Sequence, residues 1–274
     1  MNDKHTLDPD DPEGARDVQE KILESLTPLP LPPGQASAIK LRLFERIRAS
    51  RDAGKDFINV RIEDGEWESL VPGVRVKRLC QRQRAVLLDL QPGAIIPFHR
   101  HHEDEECVVL RGEAELGGIT VREGDYHLAS AGSRHGAVRS PSGALLYLRG
   151  TSIGHGLEVA RDVLTALLPG LGQVPCTIPS NGGEWADYAP GVRVKILRDD
   201  GHSRSMLLRL EPGAAAERHH HPLDEECLVM EGEVFIGDQL MRPGDYQLAP
   251  QGTDHPLVSS DIGSLLFVRG ASAG

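Results

Sequence analysis

Short aliphatic runs and Gly-containing turns alternate through most of the chain, at the roughly 8–12-residue spacing of an antiparallel sandwich or barrel. The pattern occurs twice, over residues 55–151 and again over 174–271, and each stretch reads as one β unit. Gly65-Glu-Trp67 returns as Gly183-Glu-Trp185, and Pro72-Gly-Val-Arg-Val-Lys77 as Pro190-Gly-Val-Arg-Val-Lys195. Gly124-Asp-Tyr126 returns as Gly244-Asp-Tyr246, and Leu145-Leu-Tyr-Leu-Arg-Gly150 as Leu265-Leu-Phe-Val-Arg-Gly270. The early matches stand two residues closer together than the later ones. The second copy therefore gains two residues near Asp199-Asp-Gly-His202, which predicts a lengthened hairpin turn. Residues 152–173 join the copies, with a short helix expected between Leu157 and Leu168.

Before residue 55 the period changes. Val18, Ile22, Leu23 and Leu26 share one helical face within residues 12–26. The run Thr27-Pro-Leu-Pro-Leu-Pro-Pro-Gly34 breaks that helix and should be extended and semi-rigid. A second helix is expected from about Gln35 to Ser50, with Ile39, Leu43 and Ile47 in a stripe widened by Leu41 and Phe44. So apolar a face needs cover, from the β body or from a second copy of the chain. The two β units are expected to pack on each other, with one internal contact standing in for that of a dimer.

Composition narrows the class. Thirty Gly and 19 Pro favour turns over long helices, and 4% aromatics suits small aliphatic cores. The net charge of −11 disfavours nucleic acid as a direct partner, because phosphate binding needs a cationic surface. No apolar run approaches the roughly 18–20 residues of a membrane span, so no membrane partner is expected. The polar, acidic start does not resemble a signal peptide, and a cytoplasmic location is expected. Cys80, Cys107, Cys176 and Cys227 form no C-x-x-C pair, and no disulfide framework is expected.

The chemistry lies in eight positions. His99, His101, Glu105 and His135 are matched by His219, His221, Glu225 and His255, each 120 residues on. Residues two apart on a strand share a face, so each His-x-His pair points to one side, the interior of a barrel. A turn then returns the chain to Glu105 or Glu225, and the last His arrives from a later strand. Three imidazoles and a carboxylate suit Zn, Fe, Mn or Ni, and burying them without a cation would be costly. Two divalent ions per chain are expected, with Zn favoured in protein as isolated. By alternation His102 and His220 point away from the site, and His5, His155 and His202 read as solvated. Cys107 and Cys227 read as small residues filling the barrels. Glu106 and Glu226 read as outward-facing surface acids.

These motifs resemble the cupins. Gly93-x5-His99-x-His101-x3-Glu105-x6-Gly112 and Gly213-x5-His219-x-His221-x3-Glu225-x6-Gly232 fit the first cupin motif in full. The second motif fits in part: Ser130 replaces its Pro in the first copy, Pro250 keeps it in the second, and Arg139 and Ser259 stand where its Asn is expected. The resemblance implies an all-β chain of two tandem jelly-roll barrels, residues 55–151 and 174–271, behind a helical and Pro-rich arm, residues 1–54. Within the cupins the chain resembles the ChrR-like group, which includes zinc-dependent anti-sigma factors. The shared features are Trp-x4-Pro-Gly-Val, the His-x-His-x3-Glu-Glu core and the Pro-rich stretch leading into Leu41-Arg-Leu-Phe-Glu-Arg-Ile47. The His-x3-Cys-x2-Cys zinc motif of the anti-sigma domain is missing, since no cysteine precedes Cys80. Capture of a sigma factor is therefore not expected.

Three functions remain open from the sequence. One is a metal-dependent sensor or small-ligand binding module. Another is an Fe-, Mn- or Ni-dependent dioxygenase acting on small diketones or phenolic ketones. The third is a structural zinc bicupin. Ile96-Pro-Phe98 in the first copy is replaced by Ala216-Glu-Arg218 in the second, and such divergent linings suggest that at most one barrel binds a specific small molecule.

Overall fold

The computed structural model describes residues 34–153, 162, 164–165 and 174–272. The expected helix at 12–26, the Pro-rich run, most of the joining segment, His5 and His155 lie outside these residues. Two compact units divide the chain at Arg51/Asp52. The first contains all but the last two residues of the helix Gln35–Ala53, on which Ile39, Leu43 and Ile47 are exposed. No described helix is long and apolar enough to cross a membrane.

The second unit holds two jelly-roll barrels built on one plan. In the first barrel the main sheet runs Cys176–Ile178, Tyr126–Ala129, Glu105–Leu116, Ala144–Arg149, Ala85–Leu90, Val74–Cys80 and Glu68–Val71. In the second it runs Ile58–Val60, Tyr246–Ala249, Glu225–Gly232, Ser264–Ala271, Ser203–Leu210, Val192–Asp199 and Ala186–Ala189. Every pairing is antiparallel, and the orders correspond strand for strand, with one exchange. The opening strand of the first repeat, Ile58–Val60, pairs with Tyr246–Ala249 of the second barrel. The opening strand of the second repeat, Cys176–Ile178, pairs with Tyr126–Ala129 of the first. Each barrel thus lends its first strand to the other's sheet edge, which leaves that edge paired rather than open.

The repeated motifs hold this exchange. The Asp125 carboxylate accepts the backbone N–H of Ser180 at 2.7 Å, and Asp245 accepts that of Ile62 at 2.9 Å and pairs with Arg61 at 2.7 Å. Lys77 and Lys195 are buried under Trp67 and Trp185, with Nζ 5.9 and 5.3 Å from the ring centres. The Lys195 ammonium donates to the carbonyls of Ser180 and Gly182 at 2.9 Å, and that of Lys77 to Arg61, Ile62 and Asp64. These carbonyls belong to the segments that follow the exchanged strands.

Three apolar clusters result. Two are barrel interiors, one including Val76, Leu88, Cys107 and Val109, the other Leu210, Cys227, Val229 and Met241. The third joins the barrels, with Leu87, Tyr126 and Tyr147 from one packed among Leu228, Tyr246 and Phe267 from the other. Glu106 and Glu226 are not surface acids. They point out of their own barrels but into this shared core, where they are 0% and 2% exposed. Glu226 accepts hydrogen bonds from Tyr147 at 3.0 Å, Tyr246 at 2.9 Å and Arg149 at 2.6 Å. Glu106 accepts from Tyr126 and Arg269, both at 2.8 Å. Strand alternation gave the face correctly, but solvent does not lie beyond it. The extra residues of the second copy lengthen the hairpin whose strands end at Asp199 and resume at Ser203. There the Asp200 carboxylate accepts the N–H groups of His202 and Ser203.

Candidate metal centres

Local backbone geometry sets up each site. Gly112 and Gly232 close the first cupin motif with φ of 75° and 71°, left-handed values that glycine adopts without strain. A Cβ at either would collide with the carbonyl of Gly143 or Gly263, just before the neighbouring strand, so the sheet can bend there only with glycine. Two-residue ladders bring the remaining parts together: His219 lies opposite His255, and His99 opposite His135.

In the second barrel the four expected side chains converge. Glu225 Oε1 lies 3.4 Å from His219 Nε2, 3.5 Å from His221 Nε2 and 4.0 Å from His255 Nε2. The three ring centres are mutually 5.1 Å apart. The tautomers follow from the outer contacts. Nδ1 of His219 faces the Glu217 carbonyl at 3.2 Å, and Nδ1 of His255 faces that of Pro256 at 3.1 Å. A carbonyl only accepts, so both nitrogens carry protons. Nδ1 of His221 meets Thr253 Oγ1 at 3.0 Å, and that hydroxyl donates to the Pro250 carbonyl at 2.6 Å. Thr253 must therefore accept from His221. With every Nδ1 protonated, each neutral ring turns an Nε2 lone pair toward the carboxylate. Outer partners of this kind fix ring orientation at metal sites. Buried His221 Nε2 has no protein hydrogen bond. Three lone pairs and a carboxylate repel one another unless a cation sits between them, and the donor set fits a divalent metal.

Burial would raise the Glu225 carboxyl, but its contacts with His219 and His221 outweigh that and hold it at about 2. The same carboxylate raises His219 against burial. Burial lowers His255 to about 4, with Glu225 opposing. Phe57, just before the exchanged strand, stacks on His255 at 6.2 Å between ring centres and tilts over His221 at 6.3 Å.

In the first barrel His99, His101 and Glu105 form the corresponding donor cluster. The Nδ1 of His99 donates to the Pro97 carbonyl at 2.9 Å, as in the second site. Burial is the main reason that His101 falls to about 3. The backbone of His135 is placed opposite His99; its side chain lies outside the described part of the structure. His102 is held by Asp162 at 2.5 Å, and His220 by Asp254 at 2.8 Å, so each has a partner other than the cluster. Cys107 and Cys227 are buried beside the sites, and burial pushes both thiols up. They stay protonated and fill space. All four cysteines are free.

The surroundings of the two sites differ. A cavity of about 300 Å³ opens on His219, His221, Glu225 and His255. Its walls are mainly aliphatic, among them Val194, Met206, Leu208 and Leu266, with Tyr188 and Arg204 as polar members. The space directly beside His99 and Glu105 is about 20 Å³, and a separate cavity of about 440 Å³ is bounded by Phe98, His127 and Arg134 without either of those residues among its walls. His127 lines both spaces and was not foreseen. Its counterpart in the second copy is Gln247, so matching the repeats removes it from view.

Two jelly-roll barrels in one chain, each closing around a His-x-His-x3-Glu cluster, define a bicupin. The profile of the ChrR cupin-like domain matches residues 55–152 and 175–272, and the chain belongs to that family in two tandem copies. No curated protein matches the chain. Among solved structures it is similar to a proposed dioxygenase of Nostoc punctiforme, at 16% identity and a TM-score of 0.57, covering 79% of this chain and 82% of that one. It is also similar to a variant of Bacillus subtilis oxalate decarboxylase, at 19% identity and a TM-score of 0.55, covering 79% and 78%. Another structure of that decarboxylase, a study of its Mn(II) centres, matches at 19% identity and a TM-score of 0.51, over 79% of this chain and 78% of that one. At these identities the likeness is one of fold.

Proposed function

We propose that this chain is a two-metal bicupin that binds a small molecule over the metal of its second barrel, as a sensor or regulatory module. The observation that carries this reading is the mostly aliphatic cavity of about 300 Å³ that opens on His219, His221, Glu225 and His255 together. Pockets for small ligands are concave and mostly apolar, with a few convergent polar groups, as here. His99, His101 and Glu105 would hold the first ion, with His135 completing the set by its register with His99. Zn, Fe, Mn and Ni all suit the donors. The aliphatic walls favour a ligand with an apolar body and an oxygen head turned toward the imidazoles. A role in the cytoplasm without sigma-factor capture agrees with the missing His-x3-Cys-x2-Cys motif.

A six-coordinate ion on three His and one Glu would keep two positions for a ligand or O₂. The open cavity therefore also supports a second reading, a dioxygenase for small diketones or phenolic ketones, and the Nostoc similarity leans the same way. In either case Phe57 and the aliphatic lining exclude water, and the Nδ1 contacts hold the rings in place. Metal-loaded protein incubated with a panel of diketones and phenolic ketones separates the readings. A rise in melting temperature without O₂ uptake supports binding alone, and uptake supports catalysis. If neither occurs, and His221→Ala leaves every ligand response unchanged, the second barrel is not the ligand site.

A further inference from the structure

His127 is 3% exposed, yet it faces the interior of the first barrel. It pairs across the sheet with Cys107, and cross-strand partners share a face. Its Nδ1 is fixed at 2.8 Å from Oγ1 of Thr177, on the strand lent by the second repeat. Its Nε2 is buried and has no hydrogen-bond partner in the protein. Leaving such a group unsatisfied in the interior is costly, so something is expected to pair with it.

The second barrel repeats the arrangement with different chemistry. Gln247 pairs with Cys227, donates through Nε2 to Asn59 Oδ1 at 2.7 Å on the lent strand, and leaves Oε1 buried without a partner. One position in each barrel is thus anchored by the other repeat and turns a spare polar atom inward.

In the first barrel the space reached by His127 is bounded by His99, Glu105 and Cys107. His101 is not among its walls, so it lies to one side of the donor cluster. About 20 Å³ is room for one water molecule, which needs only about 10–15 Å³ by the same measure.

We propose that His127 is a ligand-contacting residue of the first site, its Nε2 hydrogen-bonding a single water molecule bound at the metal that His99, His101 and Glu105 would hold. This rests on the metal reading above. It gives the first site one water held in the small space beside His99 and Glu105, where the second site opens on a larger cavity. His127 is close to the metal but is not a ligand of it, which agrees with its absence from the tight donor cluster.

The test uses the full chain with the second site silenced by His219→Ala and His221→Ala, and Co(II) alone as probe. Adding His127→Leu should weaken Co(II) binding about 10–100-fold, the usual cost of losing a partner of this kind. Its visible bands should also grow stronger as coordination number falls. His127→Gln, which copies the second barrel, should keep the affinity and spectrum of the parent. A Leu variant with the parent's affinity and spectrum overturns the proposal. So does equal weakening in both variants with an unchanged spectrum, because that marks packing alone. If the Leu variant fails to fold, Thr177→Val takes its place: it should weaken Co(II) binding in the same direction, and an unchanged Kd overturns the proposal. Failure of the parent to bind Co(II) at all would remove the metal reading of this barrel and the proposal with it.

Discussion

At the scale of single residues, the two ends of each histidine have separate tasks. In the second site the Nδ1 atoms of His219, His221 and His255 are spent on Glu217, Thr253 and Pro256, and the Nε2 atoms are left for a cation. His221→Ala is therefore expected to empty the second site and leave the first filled. His101→Ala should do the reverse, each variant losing about one ion by elemental analysis. Equal loss from both sites in either variant would mean that the barrels are not independent. A different outcome is expected at Glu226. Glu226→Ala strands Arg149 and the hydroxyls of Tyr147 and Tyr246 in the shared core, and breaking a buried ion pair from one side costs about 3–5 kcal/mol. A denaturant melt showing less than about 1 kcal/mol lost would contradict that role. The sequence shows the metal-type residues because spacing and repetition mark them. It misplaces Glu106 and Glu226 because alternation tells which side of a strand a residue faces, not what lies beyond. It misses His127 because its counterpart is Gln247.

Among the elements, the lent strands connect fold to site. Ile58–Val60 completes the sheet of the second barrel, and Phe57 beside it covers His255 and His221. Cys176–Ile178 does the same for the first sheet, and Thr177 anchors His127. Removing residues 1–61 takes away one lent strand and its Arg61–Asp245 pair, and exposes the edge strand Tyr246–Ala249. That deletion is expected to lower the melting temperature and promote association through the bared edge. An unchanged melt and an unchanged oligomeric state would show that the exchange is dispensable. The strands themselves were legible from aliphatic runs and Gly turns. Their partners were not, because a three-residue strand such as Ile58–Val60 carries the same local pattern whichever sheet it joins.

For the whole molecule, acid is expected to act on fold and metal in the same direction. Burial holds His101 at about 3 and His255 at about 4, below the unfolded value of about 6.5. Between those values the unfolded chain binds more protons, so the metal-free fold loses stability as pH falls from about 6.5 toward 4. Glu225, held at about 2, adds a further loss below about 4.5, its usual range. His219 is raised and works the other way, contributing stability that is full below about 6.5 and lost as pH rises through its folded value. With His101, His127 and His255 lowered and His219 raised, the metal-free protein should melt lower at pH 5 than at pH 7.5, and a higher melt at pH 5 would contradict these assignments. The duplication and the two barrels were legible in the sequence. Their inequality was only hinted at by the divergent linings, because cavity volume depends on how side chains from many strands pack together. The account as a whole depends on both clusters holding metal. Elemental analysis of the purified full chain after loading with a divalent metal and removal of the excess is the direct measurement. About two ions per chain is the predicted result, and fewer than about one would contradict it.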